Sequence, residues 1–291
     1  MTAAILLMLL TGVLWGVVGV LFGMAPEEKN RLYAFFSLNG ILFNAFVWIT
    51  QAPSASAPVG EVLRLAGLIV PSAIMEVFAF LLLKIAMNRG SQGIAWCIAQ
   101  SAMAVSFVCS IVFLRDPSSA AQWTGMALSL ASLVLFARDK PTKEGASNDT
   151  VFLLCSFGAF VLIGVGNFLR LVPGNMGLSP ESLTWRLPLQ TPVAMVFWTA
   201  VCLAKGIWNP GRVWRQAVPY AANLAVGGFI FYAATDAADK LRITPVVVPV
   251  VTGTCILLFA LWCHFFRGER LSRGGWLAVA LNIAGLALLS S

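Results

Sequence analysis

Charge is the property that this sequence lacks most. Only 11% of its 291 residues are Asp, Glu, Lys or Arg, whereas 59% are hydrophobic. Soluble globular chains carry about 25% charged residues, because a soluble domain needs a charged surface to stay in solution. The shortage excludes a soluble enzyme, a disordered chain and a nucleic-acid-binding protein. Together with a mean hydropathy of +0.86, it indicates an integral membrane protein.

Sequence motifs for metal, redox and nucleotide chemistry are also absent. There is one histidine, and the six cysteines lie inside apolar runs without CxxC spacing. We interpret the cysteines as small buried apolar residues and expect no cofactor and no metal. The lack of a Walker A motif excludes an ATP-driven pump. An intramembrane enzyme stays open as an alternative class, but it would need clustered acidic, basic or histidine side chains. Here they are scattered, so we predict no enzymatic activity.

Ten apolar segments, called spans 1 to 10, make up most of the chain. They cover residues 3–23, 33–51, 65–87, 93–114, 121–137, 151–172, 187–205, 218–240, 245–266 and 275–290. About 20 apolar residues cross a bilayer as a helix. These segments are apolar on all sides instead of alternating, which excludes barrel strands. We therefore predict an all-α polytopic membrane protein with ten transmembrane helices.

The hydropathy pattern of the first five spans recurs in the last five. A shift of 152 residues superposes the two patterns. Because five is an odd number, the second copy enters the membrane upside down, as in the inverted repeats of transporters. We predict a first five-helix repeat at 1–138, a cytoplasmic linker at 139–150 and a second five-helix repeat at 151–291.

Basic residues are distributed unequally between the two sides of the predicted membrane. Thirteen lie in the loops after the odd-numbered spans, counting Lys84 and Lys205 at the ends of their helices: Lys29, Arg31, Lys84, Arg89, Arg138, Lys140, Lys143, Lys205, Arg212, Arg215, Arg267, Arg270 and Arg273. Six lie toward the other side: Arg64, Arg115, Arg170, Arg186, Lys240 and Arg242. The positive-inside rule places the first set in the cytoplasm, so we expect both termini to be extracytoplasmic.

Several short motifs resemble the drug/metabolite transporter superfamily. They are Leu14-Trp15-Gly16, Gly268-Glu269-Arg270-Leu271-Ser272, and the last span from Gly275 to Ala287. The first repeat departs from this pattern, because it ends in Arg115-Asp116-Pro117-Ser118 without the Glu. The layout of spans 1 and 2, with Pro26 and Asn39-Gly40, is similar to the bacterial sugar branch, the L-rhamnose–proton symporter and the glucose/ribose uptake permeases.

The resemblance implies a ten-helix EamA-like inverted repeat and secondary active transport by alternating access. It implies a small polar metabolite as substrate, a sugar or sugar-like solute first, with proton coupling in the bacterial inner membrane. An amino-acid or drug exporter of the same fold is the alternative. The expected partners are a small-molecule substrate, a proton or other coupling ion and the lipid bilayer, but no nucleic acid. The glycine spacing of Gly12, Gly16, Gly19 and Gly23 fits either repeat packing or a homodimer.

Glu76 is the acidic residue nearest the centre of a span, in Ile74-Met75-Glu76-Val77-Phe78. A carboxylate at this depth costs at least about 2.5 kcal/mol, so it is retained where it is paired, protonated or facing a wet cavity. We predict that Glu76 binds substrate and carries the coupling proton. The alternative is a packing carboxyl bonded to a neighbouring helix. Asp236, toward the end of span 8, is the second candidate for proton coupling.

The other predicted substrate-binding residues are polar or aromatic side chains near the middle of spans in both repeats. With Glu76, they are Trp15, Trp96, Gln100, Asn167, Arg170 and Thr252. Arg170 allows two interpretations, which are snorkelling to the membrane interface and an anion-binding or gating role. Pro245 and Pro249 are expected to bend span 9 and free backbone carbonyls near Thr252.

Overall fold

The structure is a computed structural model that describes residues 2–90, 92–115, 117–138, 150–268 and 272–289. Within these ranges all regular secondary structure is helical, which confirms the all-α prediction. Eight helical segments are long and apolar enough to cross a membrane, and two shorter apolar helices, Ala120–Leu135 and Arg273–Leu289, bring the number to the ten predicted spans. The protein is therefore a polytopic membrane protein. The predicted linker up to residue 149 and the motif residues Glu269, Arg270 and Leu271 lie outside the described residues.

Twelve α-helices are assigned within the described ranges. They are α1 (Thr2–Gly23), α2 (Lys29–Thr50), α3 (Val59–Arg89), α4 (Gln92–Gln100), α5 (Met103–Cys109), α6 (Ala120–Arg138), α7 (Thr150–Leu171), α8 (Pro180–Leu183), α9 (Arg186–Ala204), α10 (Trp214–Lys240), α11 (Val247–Phe266) and α12 (Arg273–Leu289). A π-helical turn, Ser110–Leu114, follows α5, and 3-10 turns lie at Val172–Met176, Pro210–Arg212 and Thr244–Val246.

Helix α3 is longer than predicted at both ends. It follows the extended residue Pro58, whose fixed φ suits a helix start, and it ends at Arg89 before the extended residue Gly90. Lys84, predicted to lie at a helix end, is therefore inside the helix and fully buried. Arg170 and Arg186, counted on the opposite side, are buried as well, so the bias in basic residues keeps its direction without these three.

The helix interruption lies in span 4 instead of span 9. Span 4 is divided at residues 101–102 into α4 and α5, and it ends in the π-helical turn. Pro245 lies in the 3-10 turn before α11, and Pro249 lies in the first turn of α11, where no helical hydrogen bond is lost. Helix α11 then continues to Phe266, so the predicted proline bend near Thr252 is wrong.

Glycine lets α1 approach the second half of the chain closely. A Cβ at Gly12 would come within 2.6 Å of the Val251 carbonyl oxygen, and one at Gly16 within 2.7 Å of Leu258. Both neighbours belong to α11, and a Cβ at Gly19 would meet the Trp96 ring at 2.9 Å. The glycine spacing of span 1 therefore serves packing within the chain, as small residues do where membrane helices cross tightly. The homodimer stays a prediction.

Helix contacts are arranged in matching pairs across the two halves. α1 packs on α10 while α7 packs on α3, and α1 packs on α11 while α7 packs on α4 and α5. α2 packs on α10 while α9 packs on α3, and two further pairs, α2 with α9 and α6 with α12, unite counterparts. Exchanging the two halves reproduces this pattern. It is the packing expected for two repeats related by a pseudo-two-fold axis, although the repeat boundaries and inversion stay predictions.

Close contact between α2 and α9 depends on Gly40. A Cβ at Gly40 would lie 2.8 Å from the Met195 Cα and 2.9 Å from its backbone nitrogen, whereas Gly67 on α3 has no atom within 4 Å of that position. We expect Gly40→Ala to destabilise the protein by about 1–3 kcal/mol through overpacking.

Thermal unfolding of purified protein in detergent measures this effect. Gly67→Ala is the matched control, and we expect it to be neutral or stabilising by up to about 1 kcal/mol because alanine favours the helix. Equal melting temperatures for the two variants would contradict the close contact.

Candidate functional site

A central cavity lies between helices from both halves of the chain. The space enclosed by its lining is about 770 Å³, including the part that opens to solvent. Its lining comprises Trp15, Val18, Phe43, Ser72, Glu76, Phe80, Trp96, Gln100, Leu162, Ile163, Gly166, Asn167, Arg170, Leu187, Gln190, Leu224, Gly228, Phe231 and Tyr232. Largely apolar walls with a few convergent polar groups are typical of small-molecule sites.

An ion pair between Glu76 and Arg170 stands on the cavity wall. Nη2 of Arg170 lies 2.7 Å from Oε2 of Glu76, and the two side chains are 8% and 27% exposed, respectively. The pair joins α3 in the first half to α7 in the second half. Arg170 lies in the last turn of α7, but its side chain is buried against Glu76 and does not extend to the membrane interface as the snorkelling interpretation requires. The partner of Glu76, which could not be assigned from the sequence, is this guanidinium.

Ser72 fixes the orientation of the Arg170 side chain. Its hydroxyl accepts a hydrogen bond from Arg170 Nε at 2.9 Å and donates one to the Gly166 carbonyl oxygen, also at 2.9 Å. Ser72 and Glu76 are four residues apart on α3, as Gly166 and Arg170 are on α7, so each pair shares one helix face. The two faces therefore meet along a full turn, and the guanidinium is held on both its Nε and Nη2 atoms.

Gln190 and Tyr232 extend this network to α9 and α10. Nε2 of Gln190 donates to Glu76 Oε2 at 2.8 Å, and the Tyr232 hydroxyl donates to Gln190 Oε1 at 3.1 Å. Glu76 thus accepts hydrogen bonds from two side chains of the second half. Buried polar networks of this kind hold a site rigid when their members are paired.

Trp15, Trp96, Gln100 and Asn167 line the central cavity at the positions expected from the sequence. The Trp15 ring stacks on Phe231 with centroids 5.1 Å apart, and Trp96 Nε1 donates to Cys255 Sγ at 3.4 Å. Among the described residues, no partner reaches Gln100 Oε1 or Asn167 Nδ2, although both atoms are buried. Buried amide groups without partners leave an acceptor and a donor for a solute or for water.

Two of the predicted site residues lie elsewhere. Thr252 is fully buried in α11, and its hydroxyl bonds the Val248 carbonyl oxygen of its own helix at 2.7 Å. The predicted contact of Thr252 with the cavity is therefore wrong, because a helical threonine can satisfy its hydroxyl locally. Asp236 lies in a second cavity, where Oδ1 pairs with Arg186 Nη1 at 2.6 Å.

Three polar residues of the site were not singled out from the sequence: Ser72, Gln190 and Tyr232. A signal for two of them exists in the spacing. Gln190 follows Arg186 by four residues, and Tyr232 precedes Asp236 by four, so two polar pairs share helix faces on α9 and α10. In the structure the two helix faces meet, and two hydrogen bonds join them, one between Arg186 and Asp236 and one between Gln190 and Tyr232.

An aromatic cluster adjoins the central cavity on the side of the α1 C-terminus, and two of its rings, Phe80 and Trp96, line that cavity. Phe22 is its centre, with ring centroids at 5.3 Å from Phe80, 6.1 Å from Phe36 and Tyr220, and 6.5 Å from Trp96. Phe22 itself is fully buried. Four helices besides α1, among them α10 of the second half, contribute these rings, so the cluster packs the two halves together beside the cavity.

Lys84 secures the helix end behind this cluster. Its ammonium donates to the carbonyl oxygens of Ala25 at 2.9 Å and Phe22 at 3.4 Å, and it lies 5.8 Å from the centroid of the Phe22 ring. The last carbonyls of a helix have no intrahelical partner and carry the negative end of its dipole. A buried cation therefore satisfies the α1 C-terminus.

We expect Lys84→Met to destabilise the protein by about 1–3 kcal/mol, because it removes both bonds of the ammonium and leaves the buried Ala25 carbonyl without this donor, whereas the Phe22 carbonyl keeps its bond from the Ala25 N–H. Thermal unfolding in detergent gives the measurement. Lys205→Met, at an exposed position, is the control and should stay within about 0.5 kcal/mol of the parent. A Lys84→Met protein that melts with the parent would show that the two hydrogen bonds contribute nothing to the fold.

Comparison with known proteins supports this picture. A crystal structure of another protein aligns over 99% of this chain and 96% of its own, with a TM-score of 0.64 and 14% identity, and thus shares the fold. The uncharacterized protein y4nH of Sinorhizobium fredii (strain NBRC 101917 / NGR234) is 30% identical over 113 residues, which cover 34% of this chain and 94% of that protein. Residues 2–138 match the EamA-like transporter family. The chain belongs to this family of membrane transporters, within the drug/metabolite transporter superfamily.

Proposed function

We propose that the chain is a secondary active transporter that moves a small polar metabolite by alternating access. The observation that carries this proposal is the polar network of Glu76, Arg170 and Gln190, which faces a cavity between the two halves of the chain. A site at the interface between two repeats can be exposed to one side of the membrane or the other when the repeats rock against each other.

The protein lies, in this proposal, in the bacterial inner membrane with both termini extracytoplasmic. The aromatic cluster would then lie on the cytoplasmic side of the cavity, and the second cavity would open on the other side. The membrane location rests on the family and the apolar helices, and the orientation rests on the basic residues of the loops.

A sugar or sugar-like solute is the first substrate class in the proposal. Gln100 Oε1 and Asn167 Nδ2 have no partner among the described residues and so offer an acceptor and a donor, and Trp15 lines the same cavity with its indole. Amide groups bond hydroxyls, and aromatic faces pack on sugar rings. Such a solute could bind without replacing either member of the ion pair of Glu76 and Arg170.

A zwitterionic solute such as an amino acid is the second candidate, and the ion pair favours it. A carboxylate could replace Glu76 on the Arg170 guanidinium, while an ammonium could replace Arg170 on Glu76. Exchanging one internal pair for two intermolecular pairs keeps every charge balanced, which is required where charges are buried. A proteoliposome flux screen with labelled sugars and labelled amino acids separates the two classes.

The proposal keeps Glu76 as the carrier of the coupling proton, but the ion pair changes how the proton would act. Arg170 already neutralises the Glu76 carboxylate, so protonation is not needed to remove a bare charge. A proton on Glu76 would instead release Arg170 and leave its charge for a substrate group. Binding of the proton to Glu76 and binding of an anionic or hydrogen-bond-accepting substrate group to Arg170 would then favour each other.

The decisive experiment reconstitutes the purified protein in proteoliposomes and measures accumulation of labelled solute under an imposed pH gradient. We expect Glu76→Gln to abolish gradient-driven accumulation, because the amide takes up no proton, while exchange of labelled for unlabelled solute continues. Glu181→Gln, on α8 and exposed, is the control and should accumulate solute like the parent. Undiminished accumulation by Glu76→Gln would remove Glu76 from coupling and make Asp236 the next acid to test. No flux of any solute by the parent would contradict transport itself.

A further inference from the structure

Arg186 is a buried cation that has too few partners. The side chain is 2% exposed, and Nη1 is paired with Asp236 Oδ1 at 2.6 Å. The Tyr232 ring covers the guanidinium, with its centroid 5.1 Å from Cζ. Within the part of the chain that the structure describes, Nε and Nη2 have no hydrogen-bond partner. A buried charged donor without a partner is costly, so these two atoms indicate an absent acceptor.

The two free atoms lie on the same edge of the guanidinium. Nε and Nη2 present parallel N–H groups, the arrangement that binds both oxygens of a carboxylate at once. Arg170 in the central cavity uses this same edge for Ser72 and Glu76. In Arg186 the edge is vacant, and Asp236 occupies the other side of the group.

Arg186 lines the second cavity, which is separate from the central one. The space within its lining is about 590 Å³, including the part open to solvent, and it is bounded by Gln51, Pro180, Leu183, Thr184, Arg186, Leu187, Phe229, Tyr232, Ala233 and Asp236. Leu187 and Tyr232 also line the central cavity, so these two side chains form the wall between the cavities. Asp236 is 42% exposed, which gives solvent access to its ion pair with Arg186.

We propose that the second cavity is a binding site for a carboxylate-bearing solute, held on both oxygens by Nε and Nη2 of Arg186. Because Nε and Nη2 are buried, a neighbouring side chain must shift to admit the carboxylate, and Tyr232, which lines the cavity and packs on the guanidinium, is the side chain that shifts. Phe229 and Leu183 provide an apolar surface for the rest of the solute. The role of this site as a first stop for a solute that moves on to the central cavity rests on the proposed transport function. The binding itself does not depend on transport.

The test uses benzoate as the probe and benzamide as its uncharged counterpart, which has one acceptor where benzoate has two. A cysteine introduced by Ala233→Cys, at an exposed position of the second cavity, reports occupancy through its rate of labelling by N-ethylmaleimide. The full-length protein in lipid nanodiscs is labelled and read by mass spectrometry. The parent chain, with its own six cysteines, gives the background.

We expect benzoate to protect the introduced cysteine at about tenfold lower concentration than benzamide, since hydrogen bonds to a charged donor are worth 1.5 kcal/mol or more, roughly a factor of ten. Arg186→Lys on the same background should abolish this preference, because an ammonium lacks the two-donor edge. Arg215→Lys, exposed on α10, is the matched control and should keep it.

Three results would overturn the proposal: equal protection by benzoate and benzamide, no protection by either, or a preference for benzoate that survives Arg186→Lys. Equal or absent protection would mean that water satisfies the free edge. The comparison of the two probes needs no arginine variant, so it tests the carboxylate site even if Arg186→Lys fails to fold. Arg186→Gln provides a second variant. Because no flux is measured, a negative result here leaves the transport proposal untouched.

Discussion

The ion pair of Glu76 and Arg170 is the interaction on which the rest of the site depends. Two opposite charges deep in a chain with few charges are tolerated only because they meet at 2.7 Å and share their remaining hydrogen bonds with Ser72 and Gln190. The pair joins α3 to α7, one helix from each half of the chain. Any rocking of the halves must therefore preserve the pair or exchange it for contacts with a solute, which links the conformation of the protein to the chemistry of its cavity.

Close packing around the cavity supplies the framework that keeps these charges aligned. Gly12 and Gly40 let α1 and α2 approach α11 and α9, so the two halves interlock instead of merely touching. Beside the cavity, the aromatic cluster around Phe22 and the buried Lys84 add apolar packing and bind carbonyl oxygens at the end of α1. The second cavity lies beyond Tyr232 and keeps solvent access to Asp236. Successive contacts connect the two cavities: Arg186 packs on Tyr232, Tyr232 bonds Gln190, and Gln190 bonds Glu76.

The fold could be predicted from the sequence because apolar length determines membrane spans, whatever the side chains contact. The positions of Trp15, Glu76 and Asn167 at the cavity could be predicted too, since rare polar or aromatic groups at mid-span are best accommodated facing inward. The partners could not, because pairing across helices depends on the rotation and register of each helix. Thr252 shows the opposite error: its hydroxyl is satisfied by its own helix, so polarity in a span did not imply a cavity.

A double-mutant cycle on Glu76 and Arg170 tests the central claim most directly. Glu76→Gln, Arg170→Gln and the double variant are compared by unfolding of the purified protein in detergent. Because the pair is partly buried, we expect each single change to cost about 2 kcal/mol or more and the double change to cost clearly less than their sum. The exposed pair of Glu28 and Arg31, at 2.9 Å, is the control, with a coupling below about 0.5 kcal/mol. Additive losses at Glu76 and Arg170 would contradict the claim that their pairing holds the two halves together.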